Sequence, residues 1–211
     1  EAKDAWSLLK FLADPGDDIA LVALLRSPFF TISDRLLFKV SSNLKLSHQS
    51  TSENMSWWKF LNSGSPVEFT KAIDPLKRLL KKRHIEPPSR LLQIADRLTG
   101  YTATIANLPA SNRRLADFNG FRELVQILEQ GTDDLFGVVR RLKRLKDKAV
   151  TVERPPINTS NAVSLMTIFA AKGLEWPMVV VADLSRPTPN SSVPVYFDPE
   201  YGVAIACKDE D

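Results

Sequence analysis

The chain is poor in the residues that build metal centres and covalent cross-links. Among 211 residues it has one cysteine, Cys207, and two histidines, His48 and His84, far apart in sequence. A lone thiol cannot close an internal disulfide, and no thiolate or imidazole cluster is spaced for zinc. With so few histidines, no Ser/His/Asp or Cys/His arrangement can be assembled for nucleophilic catalysis. No apolar run approaches the ~20 residues that cross a bilayer. No Gly-x-x-x-x-Gly-Lys-Ser/Thr stretch occurs, so a phosphate cradle of that kind is missing. The first residues lack both an initiator Met and the charged-then-apolar layout of a signal peptide. They enter directly into a helical pattern. The expectation is a piece of a longer protein, in a soluble, reducing, cytoplasmic setting.

What is present describes an ordinary globular chain: 44% hydrophobic, 25% charged and 9% aromatic. That balance argues against wholesale disorder. The net charge of +3 conceals an uneven distribution. Residues 71–150 hold 17 Lys+Arg against 9 Asp+Glu, which leaves 11 and 16 for the remainder. A basic middle between acidic ends points to a polyanionic partner, or to a set of solvated helix faces.

Three zones follow along the chain. In the first, Trp6, Leu9 and Leu12 recur at helical spacing, widened by Leu8 and Phe11. Asp14-Pro15-Gly16 stops that helix, because the residue before proline is pushed out of the α region. Asp17 or Asp18 caps a second helix, Ile19 to Arg26, and Ser27-Pro28 closes it. The prediction is a packed helix pair.

The second zone, 31–150, reads as an irregular all-helical domain. Ser33 or Asp34 caps a helix through Leu44, and Ser47 to Glu53 is expected as a loop. Trp57, Trp58, Phe60 and Leu61 form a short apolar knot. Val67 to His84 is a long pattern that Pro75 should kink or split. Ser89 starts a helix that Thr99-Gly100 ends. Ser111 caps a run to Gln130, and Thr132 caps a last helix through Lys148.

The third zone changes character. Residues 151–161 contain Pro155-Pro156 and read as an extended linker. Val163 to Phe169 and Met178 to Ala182 are predicted strands, the latter apolar on both faces as in a strand buried between two layers. Val193 to Phe197 and Val203 to Cys207 predict a hairpin. The chain is therefore expected to be α+β and mostly α.

Between the first two predicted strands lies the strongest local signal, Leu165 to Pro177. Lys172 is a cation at a strand-to-loop transition, and Gly173 allows close approach or positive φ. Glu175 adds an acceptor, and Thr167 a hydroxyl able to help hold a phosphate. Such a loop is either a ligand site at a strand end or a turn with solvated Lys and Glu.

The ten residues Thr167-Ile168-Phe169-Ala170-Ala171-Lys172-Gly173-Leu174-Glu175-Trp176 resemble motif V of the UvrD/Rep-type superfamily 1 DNA helicases. The usual form of that motif is Thr-Ile/Leu-His-x-x-Lys-Gly-Leu-Glu-Phe/Trp. The opening residues, Glu1 to Pro15 and Asp17 to Pro28, resemble the helices that follow motif IV. Leu25 to Phe30 with Ser33-Asp34, and Phe197 to Gly202, resemble the RecB/AddA-like branch. The matches cover about the first 35 residues and 162–207, and the helical middle fits by position and class.

The resemblance implies a partial RecA-like second motor domain built from 1–30 and 162–211, with 31–150 as an inserted helical accessory domain and 151–161 as linker. It places Glu175 and Gly173 at the nucleotide, and Thr167, Lys172 and Phe169 at the DNA. Phe169 stands where the family usually has His, and it can stack or pack but not donate a side-chain hydrogen bond. ATP and Mg2+ are implied for the full-length protein, with neither expected on this piece alone. The implied partners are single-stranded DNA and a duplex junction, the first motor domain of the same chain, and a nuclease or helicase subunit. No membrane is implied. Lacking a P-loop and the arginine-bearing motif VI, the piece alone is expected not to hydrolyse ATP. The alternative is a non-catalytic helical module that binds DNA or protein and keeps a motor-like remnant.

Two basic clusters add to this. Arg140, Arg141, Lys143, Arg144, Lys146 and Lys148 are six cations in nine residues. They either track duplex phosphates or form a solvated helix end favoured by the dipole. Lys77, Arg78, Lys81, Lys82 and Arg83 pose the same choice, and His84 beside them reads as a surface residue. Of Trp57 and Trp58, at least one is expected in the core.

Overall fold

A computed structural model describes residues 1–50, 56–64, 67–132, 134–150, 152, 154–157, 163–182, 195–200 and 202–205. The chain divides into two units, Glu1–Ser160 and Asn161–Asp211.

Among the described residues the elements of the first unit are all helical: α1 (Ala2–Ala13), α2 (Asp18–Arg26), α3 (Asp34–Ser50), α4 (Trp57–Gly64), a 3-10 turn (Val67–Phe69), α5 (Thr70–Lys82), α6 (Pro88–Thr99), α7 (Tyr101–Ala106), α8 (Ser111–Glu129) and α9 (Leu135–Asp147). The apolar stripe read on α1 is real and nearly all-round: Leu8, Leu9, Phe11 and Leu12 are fully buried. Each such side chain gains about 1.5–3 kcal/mol by leaving water. α1 packs on α2, α6, α8 and α9, so it is the hub of the unit.

The predicted α1–α2 pair is present, with its acidic turn. Asp17 accepts from the Ala20 amide at 2.8 Å and pairs with Lys10 at 2.8 Å. The neighbouring Asp18 reaches across the chain to accept from the Trp57 amide at 2.9 Å, capping α4. Trp57 and Trp58 are both half-buried against the core, Trp58 edge-on to Phe11 at 5.2 Å. Tyr101, fully buried, stacks on Phe29 at 3.9 Å and leans on Phe118 at 4.8 Å. Its hydroxyl donates to Asp4 at 3.0 Å. Burial, then the Asp4 carboxylate, pushes the phenol's pKa well above its ordinary value.

Several local expectations need correction. α3 runs to Ser50 through the first part of the expected loop, because no Gly or Pro after Leu44 stops it; residues 51–53 lie outside the described residues. α5 is not split at Pro75. Ala72, Ile73, Leu76 and Leu79 bury one stripe that spans both sides of the proline. α6 begins at Pro88, and Glu129 from the end of α8 accepts from both the amide and the hydroxyl of Ser89, the latter at 2.9 Å. α7 has no counterpart among the expected helices: Gly100 ends α6 in the left-handed region, and Asp96 then accepts from the Thr102 amide at 2.7 Å to start a new helix. The cap of α9 is Asp134, which accepts from the Gly137 amide at 2.8 Å, rather than Thr132. α8 starts at Ser111 but with no side-chain cap.

Residues 154–157 are fastened to α8. Arg154 and Arg113 both hold Asp117, and Arg113 also donates to the Pro155 carbonyl at 2.8 Å. Gly120 makes room for the Pro155 ring; a Cβ there would stand 2.2 Å from its Cγ. Burial raises the Asp117 pKa, but the hydrogen bonds from Arg154 and Arg113 outweigh it and hold the carboxyl below the usual range. A depressed carboxylate contributes its full stability above the unfolded pKa of about 4 and loses it as pH falls through the folded value. Asp117→Asn should therefore flatten the acid limb of the stability curve below about pH 4. It should leave the neutral region's slope unchanged, as read from urea midpoints across pH.

In the second unit the predicted hairpin forms: β1 (Val195–Asp198) runs antiparallel to β2 (Gly202–Ile205), pairing Tyr196 with Ala204 and Phe197 with Val203. Residues 193, 194, 206 and 207 of the expected hairpin lie outside the described residues. The other two expected strands are not formed. Val163 to Phe169 and Met178 to Ala182 are coil and turn, with Val163 and Leu165 99% exposed. A strand apolar on both faces needs sheet neighbours and covering layers, and among the described residues nothing pairs with either segment. The mostly helical class stands; a RecA-like sheet is not seen among the described residues.

Candidate functional site

The signal turn is a single coil of helix. The Ala171 amide donates to the Thr167 carbonyl at 3.0 Å, and the Ala170 amide donates to the Thr167 hydroxyl at 3.2 Å. Thr167 thus caps the turn and keeps its own hydroxyl proton for another acceptor. Gly173 reverses the chain at φ 83°, a region L side chains rarely adopt. The Leu174 amide closes the reversal on the Ala171 carbonyl at 3.0 Å. Thr167, Lys172 and Glu175 are all exposed, with Lys172 and Glu175 on either side of the reversal. Phe169 is 92% exposed, so it fills no core. The turn leaves a hydroxyl, an ammonium and a carboxylate exposed within nine residues.

α9 sorts its cations. Leu135, Val138 and Leu142 are buried, which turns Arg140, Lys143 and Arg144 outward. Arg141 is half-buried and donates to the carbonyls of Leu128 at 2.6 Å and Gln130 at 2.9 Å, closing the end of α8. Its guanidinium is therefore committed to structure, while Arg140 and Arg144 face solvent.

At the end of α5 the same sorting occurs. Lys77, Arg78 and Lys81 are exposed, Lys82 pairs with Glu86 at 3.6 Å, and Arg83 donates to the Leu12 carbonyl at 3.1 Å. Arg83 also donates to His84 Nε2 at 2.9 Å, and the imidazole stacks on Phe136 at 6.3 Å. The structure thus joins two basic clusters far apart in sequence. Sequence reasoning misses Phe136, although it lies one helical turn before Arg140 and opposite the buried stripe.

Among the described residues no three His, Cys, Asp or Glu side chains converge on a metal-sized site. No described helix is long and apolar enough to cross a membrane.

The Thr167–Trp176 turn, with its Lys-Gly-Leu-Glu run, resembles a helicase motif, and the family comparison agrees. The chain belongs to the UvrD-like helicase C-terminal domain family, whose model matches residues 1–197. Curated relatives bear the name of one subunit, the first by letter, of an ATP-dependent helicase/nuclease. The one from Enterococcus faecalis is 27% identical over 199 residues, covering 88% of this chain and 15% of that protein. The one from Lactiplantibacillus plantarum is 26% identical over 224 residues, covering 100% and 18%. The one from Thermoanaerobacter pseudethanolicus is 28% identical over 189 residues, covering 88% and 15%. The chain thus spans less than a fifth of these relatives' length.

Proposed function

We propose that this chain is the second-motor-domain region of an ATP-dependent DNA helicase acting in recombination or repair, and that it couples nucleotide state to movement of single-stranded DNA. The observation that carries the reading is the exposed Thr167–Trp176 turn, reversed at Gly173, in a chain of the UvrD-like family. Glu175 accepts from a ribose hydroxyl and Gly173 lets the backbone approach the nucleotide. Thr167 and Lys172 hold the DNA backbone, and Phe169 packs against sugar or base. Arg140 and Arg144 supply outlying backbone contacts. Residues 1–30 and 162–211 belong to the motor domain, 31–150 to the accessory insertion, and 151–161 links them.

Bound ATP would supply the energy of the cycle. The residues here fit one edge of its site, an exposed carboxylate beside an open turn, and leave the phosphates and Mg2+ to the first motor domain of the longer protein. The piece alone therefore does not turn over ATP. The proposed partner is a nuclease or helicase subunit, in keeping with the relatives' name, and the proposed compartment is the cytoplasm.

The test uses the longer protein that carries this chain, assayed for DNA-stimulated ATP hydrolysis. Glu175→Ala should raise KM for ATP by about tenfold, the value of one hydrogen bond to a charged group. Lys172→Ala should raise the DNA concentration needed for half-stimulation. Unchanged constants in both variants would remove the turn from the site. DNA binding without any ATP hydrolysis by the parent would instead make the chain a binding module with a motor-like remnant.

A further inference from the structure

Where α5 meets α9, Arg140 has a backbone contact in the function proposed above, while the aromatic residues beside it have no role there. Phe136 is 44% exposed despite its stack on His84, and Ile85 beside them is 79% exposed. Exposed cations lie close to these residues along two elements. Lys81 sits on the last turn of α5, three residues before His84. Arg140 and Lys143 follow Phe136 at i+4 and i+7, the same face of α9. None of the three has an acidic partner among the described residues. Arg83 fixes the imidazole by donating to Nε2, and is itself anchored on the Leu12 carbonyl. The platform is therefore held in place before any ligand arrives.

We propose that this joined end of α5 and α9 is a seat for single-stranded DNA, with the Phe136–His84 pair stacking a base and Lys81, Arg140 and Lys143 taking phosphates. The proposal rests on DNA being the partner of the motor, and goes beyond it by naming the strand form this face selects. Aromatic faces among cations are what sequence-tolerant single-strand binding uses, because every unpaired base has a free π-face. A duplex keeps its base faces inside its own stack and offers a protein surface only base edges, sugar and phosphate. It would neutralise the cations but leave Phe136 and Ile85 wet. A single strand covers both.

The test is fluorescence anisotropy of the 211-residue chain with labelled oligothymidine of about 16 nucleotides, the upper range for one single-strand module. A blunt duplex of equal length serves as the second ligand. Phe136→Ala and His84→Ala should each weaken oligothymidine binding by about tenfold and duplex binding by about twofold or less. Arg140→Ala should lower the salt slope on the single strand by about 0.7. Phe136→Trp keeps a ring and should bind at least as well as the parent, which separates lost stacking from lost fold. Equal weakening on both ligands, unchanged binding in the alanine variants, loss in Phe136→Trp, or no binding of oligothymidine by the parent at low salt each overturn the proposal. If it fails while Glu175→Ala still impairs ATP hydrolysis, the motor reading stands. The reverse result leaves the seat and removes the motor reading.

Discussion

Replacing Gly173 with valine in the longer protein is expected to cut DNA-stimulated ATP hydrolysis by about a hundredfold, the penalty for misplacing reacting partners by about 1 Å. The cause is local. Gly173 sits at φ 83°, where a β-branched side chain is strained whatever the surrounding space. Valine would force the reversal open and separate Lys172 from Glu175, the pair proposed to read DNA and nucleotide together. Among the described residues no side chain lies within 4 Å of where a Cβ would stand, so the effect comes from the backbone rather than from a clash. Gly173→Asn gives the matching control, since asparagine tolerates the left-handed region. Recovery of most of the activity in that variant ties the loss to φ. Equal loss in both would mean that the missing Cβ, not the conformation, is what the site requires.

The second large effect lies in the helical unit. Tyr101→Ala should destabilise it by about 3–5 kcal/mol, the usual range for deleting a buried aromatic ring. That is a large share of the roughly 5–15 kcal/mol typical of a whole domain. Tyr101 is fully buried between Phe29 and Phe118, which lie far apart in the chain, so its loss opens a cavity shared by α7, α8 and the turn after α2. Tyr101→Phe separates ring from hydroxyl. It keeps the packing and removes the donor to the Asp4 carboxylate, for a cost of about 1.5–3 kcal/mol. Denaturant midpoints of the two variants check both numbers. Equal midpoints would show that the ring packing contributes nothing beyond the hydrogen bond.

Local rules read much of this molecule correctly where the chain carries its own punctuation. Asp14-Pro15-Gly16 stops α1, Asp17 caps α2, and Gly100 ends α6, each through groups within a few residues of one another. The β1–β2 hairpin is legible for the same reason, two short β-prone runs around a Gly-containing turn. The misses have a different physics. α7 depends on Asp96 reaching Thr102 and on Tyr101 and Ile105 finding a buried site, neither of which periodicity reveals over six residues. The segments 163–169 and 178–182 have strand composition without strand neighbours among the described residues. β structure is a property of pairs of strands, so composition alone overstates it. In the site, the Lys172–Gly173–Leu174–Glu175 run is visible as a pattern, but Thr167's use of its hydroxyl as a cap is not.

By itself the sequence carried the resemblance to the helicase family, chiefly in one run of ten residues, and the apolar stripe of α1, through side chains at helical spacing. Both are short-range facts, set by residues that act together because they are close along the chain. Tertiary structure alone decided which cations are at work inside and which face solvent. Arg141 closes α8, Arg83 closes α1, and Arg140 and Lys143 are left outward. It also brought His84 to Phe136 across 52 positions, a contact made by packing two helix ends rather than by anything either stretch encodes alone. Charge can be counted from a sequence, but the carbonyls that compete for it are placed only by the fold.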